Sequence, residues 1–181
     1  MLKSQDVMII LKIVSMGPRE WKYSEVALEL HMSPSEVHAG VKRLKNCALL
    51  TELSLGVGGI EKKLHIPDID CLKEFIQSGI RYVFPAIYSQ PAKGLPTSYG
   101  VEHLFEGFNF TGGFIPVWEL DVGEYTGAAL KPLYSSAPKA AMDDFRLYEL
   151  LALADAMRTD DDKLRDFAWE KMNVMLGGSY G

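Results

Sequence analysis

Cysteine, histidine and long apolar runs are all scarce in this chain, and each scarcity removes a class of function. The two cysteines, Cys47 and Cys71, form no C-x-x-C pair and stand beside no suitably spaced histidine. Disulfide and zinc frameworks therefore lack support, and a reducing cytoplasm is the simplest compartment. The four histidines, His31, His38, His65 and His103, make no H-E-x-x-H or related metal signature. No stretch approaches the roughly eighteen apolar residues a membrane span needs. The opening MLKSQDVMIILKIVSMGPRE carries Gln5, Asp6 and Lys12 among its apolar positions and reads as an amphipathic helix, not a signal peptide.

The glycines match neither the dinucleotide fingerprint nor the P-loop, and Gly112-Gly113 lacks a following lysine in a strand-to-helix context. Asp143-Asp144 and Asp160 to Asp162 precede helical patterns, so helix capping explains them without a metal. His103, between Glu102 and Glu106, has the chemistry of a general base but reads better as an ordinary histidine. The expectation is a chain with no cofactor, no metal and no enzymatic activity.

What is present is apolar content of 48% over 181 residues, enough for one generous domain or two small ones. The net charge of -5 is unevenly spread. Residues 1–65 hold nine Lys and Arg against seven Asp and Glu, net +2, and residues 66–181 hold ten against seventeen, net -7.

The basic share falls on the side of the chain that holds residues 23–50, YSEVALELHMSPSEVHAGVKRLKNCALL. Before it, residues 5–15 put Val7, Ile10, Leu11 and Val14 on one helical face, closed by Met16-Gly17-Pro18. Ser24 offers an N-cap to a two-turn helix with Val26, Ala27 and Leu30 inward. Beyond a turn at His31-Met32, Ser33-Pro34-Ser35-Glu36 has the form of a capping box with proline at the first helical position. The third helix then runs to about Lys45 on an apolar row of Val37, Val41 and Leu44. Residues 51–66 suit two short strands about the glycines at 56–59.

This run resembles the helix-turn-helix of winged-helix transcription regulators, of the broad MarR-like kind, across about residues 5–65. The resemblance implies packing or capping roles for Ala27, Leu30, Ser33, Val37, Val41 and Leu44. The chain departs from the family in having His31 where glycine often makes the turn, and Cys47-Ala48 where glycine often precedes the final leucine pair. Histidine tolerates a left-handed backbone better than most residues, so the turn survives. Further on, Arg81-Tyr-Val-Phe-Pro85 and Leu147-Tyr-Glu-Leu-Leu151 resemble uncharacterised prokaryotic helix-turn-helix proteins.

In the DNA-binding reading the third helix enters the major groove. Ser35, His38 and Ala39 meet base edges, while Lys42, Arg43 and Lys45 meet phosphates. Ser33 caps the helix, Tyr23 and Ser24 approach the backbone at the second helix's start, and Lys62 and Lys63 reach it from the wing. The bland reading is a common helical packing unit with ordinary solubility charges.

Residues 80–87 are rich in β-formers, and residues 85–100 are so dense in Pro and Gly that a long irregular excursion is expected, with one or two short strands including residues 115–120. Of its aromatics, Tyr82, Phe84, Phe105, Phe108, Phe110, Phe114 and Trp118 read as core, and Tyr88 and Tyr99 as an exposed pair able to meet a partner or ligand. Two capped helices close the chain. The expected architecture is α+β: a winged helix-turn-helix over residues 1–66, then a loop-rich effector, partner-binding or dimerisation region over 67–181. The expected function is a cytoplasmic, prokaryotic, homodimeric regulator of double-stranded DNA, most simply a repressor. One version is an antitoxin-like autorepressor holding a toxin, or responding to a small ligand, through its acidic part. The competing class is a protein-interaction adaptor that uses a winged helix without DNA.

Overall fold

The computed structural model describes residues 1–57, 60–110 and 112–178, with backbone alone at 55–57 and 60–63. The chain is a mixed α+β protein built on two central helices.

The first of these is α1 (Ser4–Met16). Its apolar face was expected to be one-sided, yet Met8, Ile9 and Ile13 are as buried as Val7, Ile10, Leu11 and Val14, and Lys12 is buried too. The reason is that α1 packs against α3 (Pro34–Asn46) on one side and α7 (Phe145–Met157) on the other. A helix enclosed in this way has no solvent face to carry polar residues. Gly17, at φ +73°, ends it.

Helix α2 (Tyr23–Glu29) begins two residues earlier than its sequence suggests: Lys22 occupies the N-cap position, and Ser24 lies exposed in the first turn. Val26, Ala27 and Leu30 are buried. His31 makes the turn in the left-handed region at φ +52°. Ser33 then caps α3 reciprocally, its Oγ accepting from the Glu36 N–H at 3.2 Å while the Glu36 carboxylate accepts from the Ser33 N–H at 3.0 Å. Gly40 lets α3 cross α1 closely, since a Cβ there would collide with the Ile9 side chain. Ala48 takes φ +57° at the other position where glycine was expected. Strands β1 (Leu50–Val57) and β2 (Ile60–Pro67) follow as an antiparallel hairpin with Leu50 opposite Pro67. The expected turn glycines Gly58 and Gly59 lie outside the described residues.

Asp68 caps α4 (Ile69–Glu74), which continues through a π turn (Phe75–Gly79) into α5 (Ile80–Val83). The β-rich composition at 80–87 is thus overridden: Leu72, Ile76 and Ile80, four apart, lie buried along one helical side.

The expected irregular excursion contains three strands, β3 (Tyr88–Pro96), β4 (Pro116–Glu119) and β5 (Tyr125–Leu130). Each pairs with the other two, β3 antiparallel to both and β4 parallel to β5, so the small sheet closes on itself. Glycine makes this tight closure possible, because a Cβ on Gly94 would strike the Trp118 carbonyl and one on Gly127 the Ile115 carbonyl. Pro91 sits beside a register shift, where a missing N–H is tolerated.

Helix α6 (Ala137–Asp143) precedes the two foreseen C-terminal helices, α7, capped by Asp144, and α8 (Asp162–Gly177), capped by Asp161. The second central helix, α7, buries Leu147 and every residue from Leu150 to Met157. One hydrophobic core runs from α1 through α8. Among the described residues no helix is long and apolar enough to cross a membrane.

Candidate functional site

The capping box fixes where α3 starts and therefore which side chains face outward. Ser33, Ser35, His38 and Lys42 are exposed, and Ala39 is half-buried among them. Lys42 has no ion-pair partner among the described residues. Its two basic neighbours differ. Arg43 turns back toward α1, where Nε and Nη2 donate to the two carboxylate oxygens of Asp6 at 2.7 and 2.6 Å. Asp6 is fully buried and also accepts from the Lys3 N–H at 2.8 Å. The hydrogen bonds to Asp6 raise the Arg43 pKa against the opposing effect of burial. The guanidinium fork expected to meet phosphate is engaged here in packing α3 on α1. Lys45 is ion-paired with Glu52 on β1.

Tyr23 is engaged as well. Its hydroxyl lies 3.1 Å from His65 Nε2 on β2, its ring is 5.2 Å from the His38 ring and 5.6 Å from Trp21, and burial raises its pKa. Tyr23, His38, Val41, Lys42, Lys45 and Asn46 line a shallow depression of about 440 Å³. Ser24 stays outside it. Lys62 and Lys63 lie on β2, with side chains outside the described residues.

Segments far along the chain hold the α2–α3 turn. Ser136 Oγ donates to the Leu30 carbonyl at 2.6 Å, His31 Nε2 lies 2.8 Å from an Asp143 oxygen, and the Tyr134 hydroxyl donates to Glu36 at 2.6 Å. That last bond, with those from Ser33, holds the Glu36 carboxyl below its ordinary range. Lys12 bridges Glu29 and Asp144. Burial opposes the Asp144 charge, but hydrogen bonds from Lys12, the Leu147 N–H and Ser15 outweigh it and lower the pKa.

A second constellation lies at the closed sheet. Tyr88 and Tyr99, paired in the sequence reading only as flanks of a Pro/Gly stretch, line one cavity of about 380 Å³ with Phe110, Pro85, Asp160 and Asp161. Tyr88 is 43% exposed and Tyr99 half-buried. The expectation that the other aromatics form core holds for Phe105 and Trp118; Phe84 and Phe108 are half-buried, and Tyr82, Phe110 and Phe114 are exposed.

Behind this cavity sits a buried polar hub that the sequence reading missed. Asp155 accepts from Thr97 Oγ1 at 2.9 Å, Trp118 Nε1 at 2.7 Å and Arg158 Nη1 at 2.5 Å. Arg158 also donates to the carbonyls of Phe84 at 2.7 Å, Pro85 at 3.2 Å and Lys131 at 3.3 Å. Burial pushes the Asp155 carboxyl up, while Arg158, Thr97 and Trp118 pull it down, and the net direction is upward. A signal was available: an aspartate inside the apolar run Leu150 to Met157 with an arginine three residues on. Beside Thr97, buried Ser98 takes φ +49° and its hydroxyl finds no partner among the described residues.

The geometry defines a mixed α+β protein with an exposed capped helix at one place and an aromatic cavity over a buried ion pair at another. No family model matches the chain, and neither curated proteins nor solved structures give a significant match to it.

Proposed function

We propose that the chain is a cytoplasmic, sequence-specific DNA-binding transcription regulator, most simply a repressor, that works as a homodimer through a winged helix-turn-helix. The observation that carries this reading is α3 itself: a helix with a complete capping box, following a tight left-handed turn and preceding a hairpin, with Ser35, His38 and Lys42 all exposed. Ser35 and His38 bring hydrogen-bonding groups to base edges, and Lys42 brings charge to a phosphate. With Arg43 and Lys45 paired internally, one such unit supplies few phosphate contacts, so two half-sites are needed for useful affinity. The contacts from Tyr134, Ser136 and Asp143 to the turn supply a route by which a partner, such as a toxin, or a ligand at the acidic part biases α3.

The same pairing of Arg43 and Lys45 favours a second reading, a protein-interaction adaptor that uses this unit without DNA. Duplexes selected from a random pool by the full chain separate the two. A regulator enriches a (pseudo)palindromic site, loses affinity steeply as salt rises, and binds more weakly as Lys42→Ala. Failure to retain any duplex at low salt removes the regulator reading.

A further inference from the structure

The cavity at the closed sheet has an unusual wall for its size. Tyr99 and Phe110 stack at 4.0 Å with 28° between planes, and the Tyr99 hydroxyl donates to the Phe114 carbonyl at 3.3 Å, which fixes the ring. Tyr88 and Phe110 nevertheless remain 43% and 41% exposed. Burial pushes the Tyr88 hydroxyl up to about 12 and raises that of Tyr99. The one cation among the lining residues, Arg158, is 4% exposed and bound to Asp155 and three carbonyls. At the rim stand Asp160 and Asp161, both exposed, with Asp161 near enough to raise the Tyr99 pKa. The cavity thus combines three aromatic rings with two exposed carboxylates, while its one guanidinium is already committed to Asp155 and the backbone carbonyls.

We propose that this cavity, walled by Tyr88, Tyr99 and Phe110 and rimmed by Asp160 and Asp161, binds a small organic cation with an alkylammonium head. Ring faces attract such a cation, and the carboxylates neutralise it at the mouth. A volume of about 380 Å³ accommodates the head of a small ligand. A hard metal ion is a poor fit, because the aromatic walls supply few of the oxygen ligands it requires. The same head group arrives either on a free amine or on a lysine side chain. The site owes nothing to the DNA-binding reading, whereas a role for its ligand as a regulatory signal rests on that reading.

The test is calorimetric titration of the full chain, without DNA, with tetramethylammonium chloride at constant ionic strength. Two further arms use the neutral isostere 3,3-dimethylbutanol and a short peptide bearing one lysine. The cation is expected to saturate in the millimolar range, with the neutral alcohol, Tyr99→Leu and Asp160→Asn/Asp161→Asn each weakening binding by about tenfold. The rim variant retains a competent cap at residue 161 and keeps the test valid if Tyr99→Leu perturbs the sheet. A peptide tighter than tetramethylammonium identifies a protein source, and an equal or weaker one a free amine. Equal binding of the alcohol, unchanged affinity in the rim variant, or no saturation by either cation overturns the proposal.

Discussion

Two regions of the molecule each bury a carboxylate and answer it with an arginine, yet they hold the pair in different ways. Near the N-terminus, Asp6 in α1 meets Arg43 of α3, whose side chain is still 19% exposed. In α7, Asp155 meets Arg158 three residues on, and both are nearly sealed from water. The first pair joins two helices through one fork. The second gathers Thr97 and Trp118 at its carboxylate and the carbonyls at 84, 85 and 131 at its guanidinium, so that the pair fastens the end of α7 to the closed sheet and to the segments flanking it. The contrast teaches that the same charge pair is a local pin where water reaches one partner and a hub where it reaches neither, because a sealed charge must find all its partners within the protein.

The largest expected effect comes from removing the sealed carboxylate. Asp155→Ala leaves Arg158 charged and uncompensated and should cost about 3–5 kcal/mol in urea unfolding. A loss below about 1 kcal/mol would break the distinction between pin and hub. Arg43→Ala strands Asp6 beside a gap that water reaches, so the loss should be smaller, about 2–3 kcal/mol. Under the proposed DNA-binding function, the variant should keep the parent's salt dependence of duplex binding.

Asp144 stands between these extremes, half-buried and paired with Lys12. Its folded pKa lies below the unfolded value of about 3.9. Its stabilisation is therefore present above that value and lost as pH falls through the folded pKa. Asp144→Asn, which can still cap α7, should flatten the fall in thermal midpoint between pH 5 and 3; an unchanged slope refutes the assignment. Ala48→Gly relieves a left-handed alanine and should add about 1 kcal/mol. Smallest of all, Lys42→Ala should change stability by less than about 0.5 kcal/mol; under the proposed DNA-binding function it also lowers the salt dependence of duplex binding by about one phosphate.

The same contrast explains what could be read from the sequence. The start of α3 was legible because a capping box is chemistry among four consecutive residues. The left-handed turn at His31 was likewise local. The Asp6–Arg43 pair was not legible because the partners lie 37 positions apart, and no local pattern marks an arginine that faces Asp6. β3 was hidden because Pro91 and Gly94 signal loops, whereas here they serve a register shift and a close strand approach. Residues 80–87 read as β-rich from their branched and aromatic side chains, yet 80–83 are helical with Ile80 buried in the core. Tyr88 and Tyr99 were noticed, but their joining with Phe110 and Asp161 depends on packing across some seventy residues of chain.

The enclosure of α1 bears finally on how this protein can be cut and recombined. A chimera that transplanted residues 1–66 onto another protein would uncover the side of α1 that α7 now covers, turning buried apolar side chains into an adhesive surface. Residues 1–66 are thus no portable cassette. Under the proposed DNA-binding function, a change of site preference has to proceed by substitution on the outward face of α3, with the second central helix carried along as part of the same scaffold.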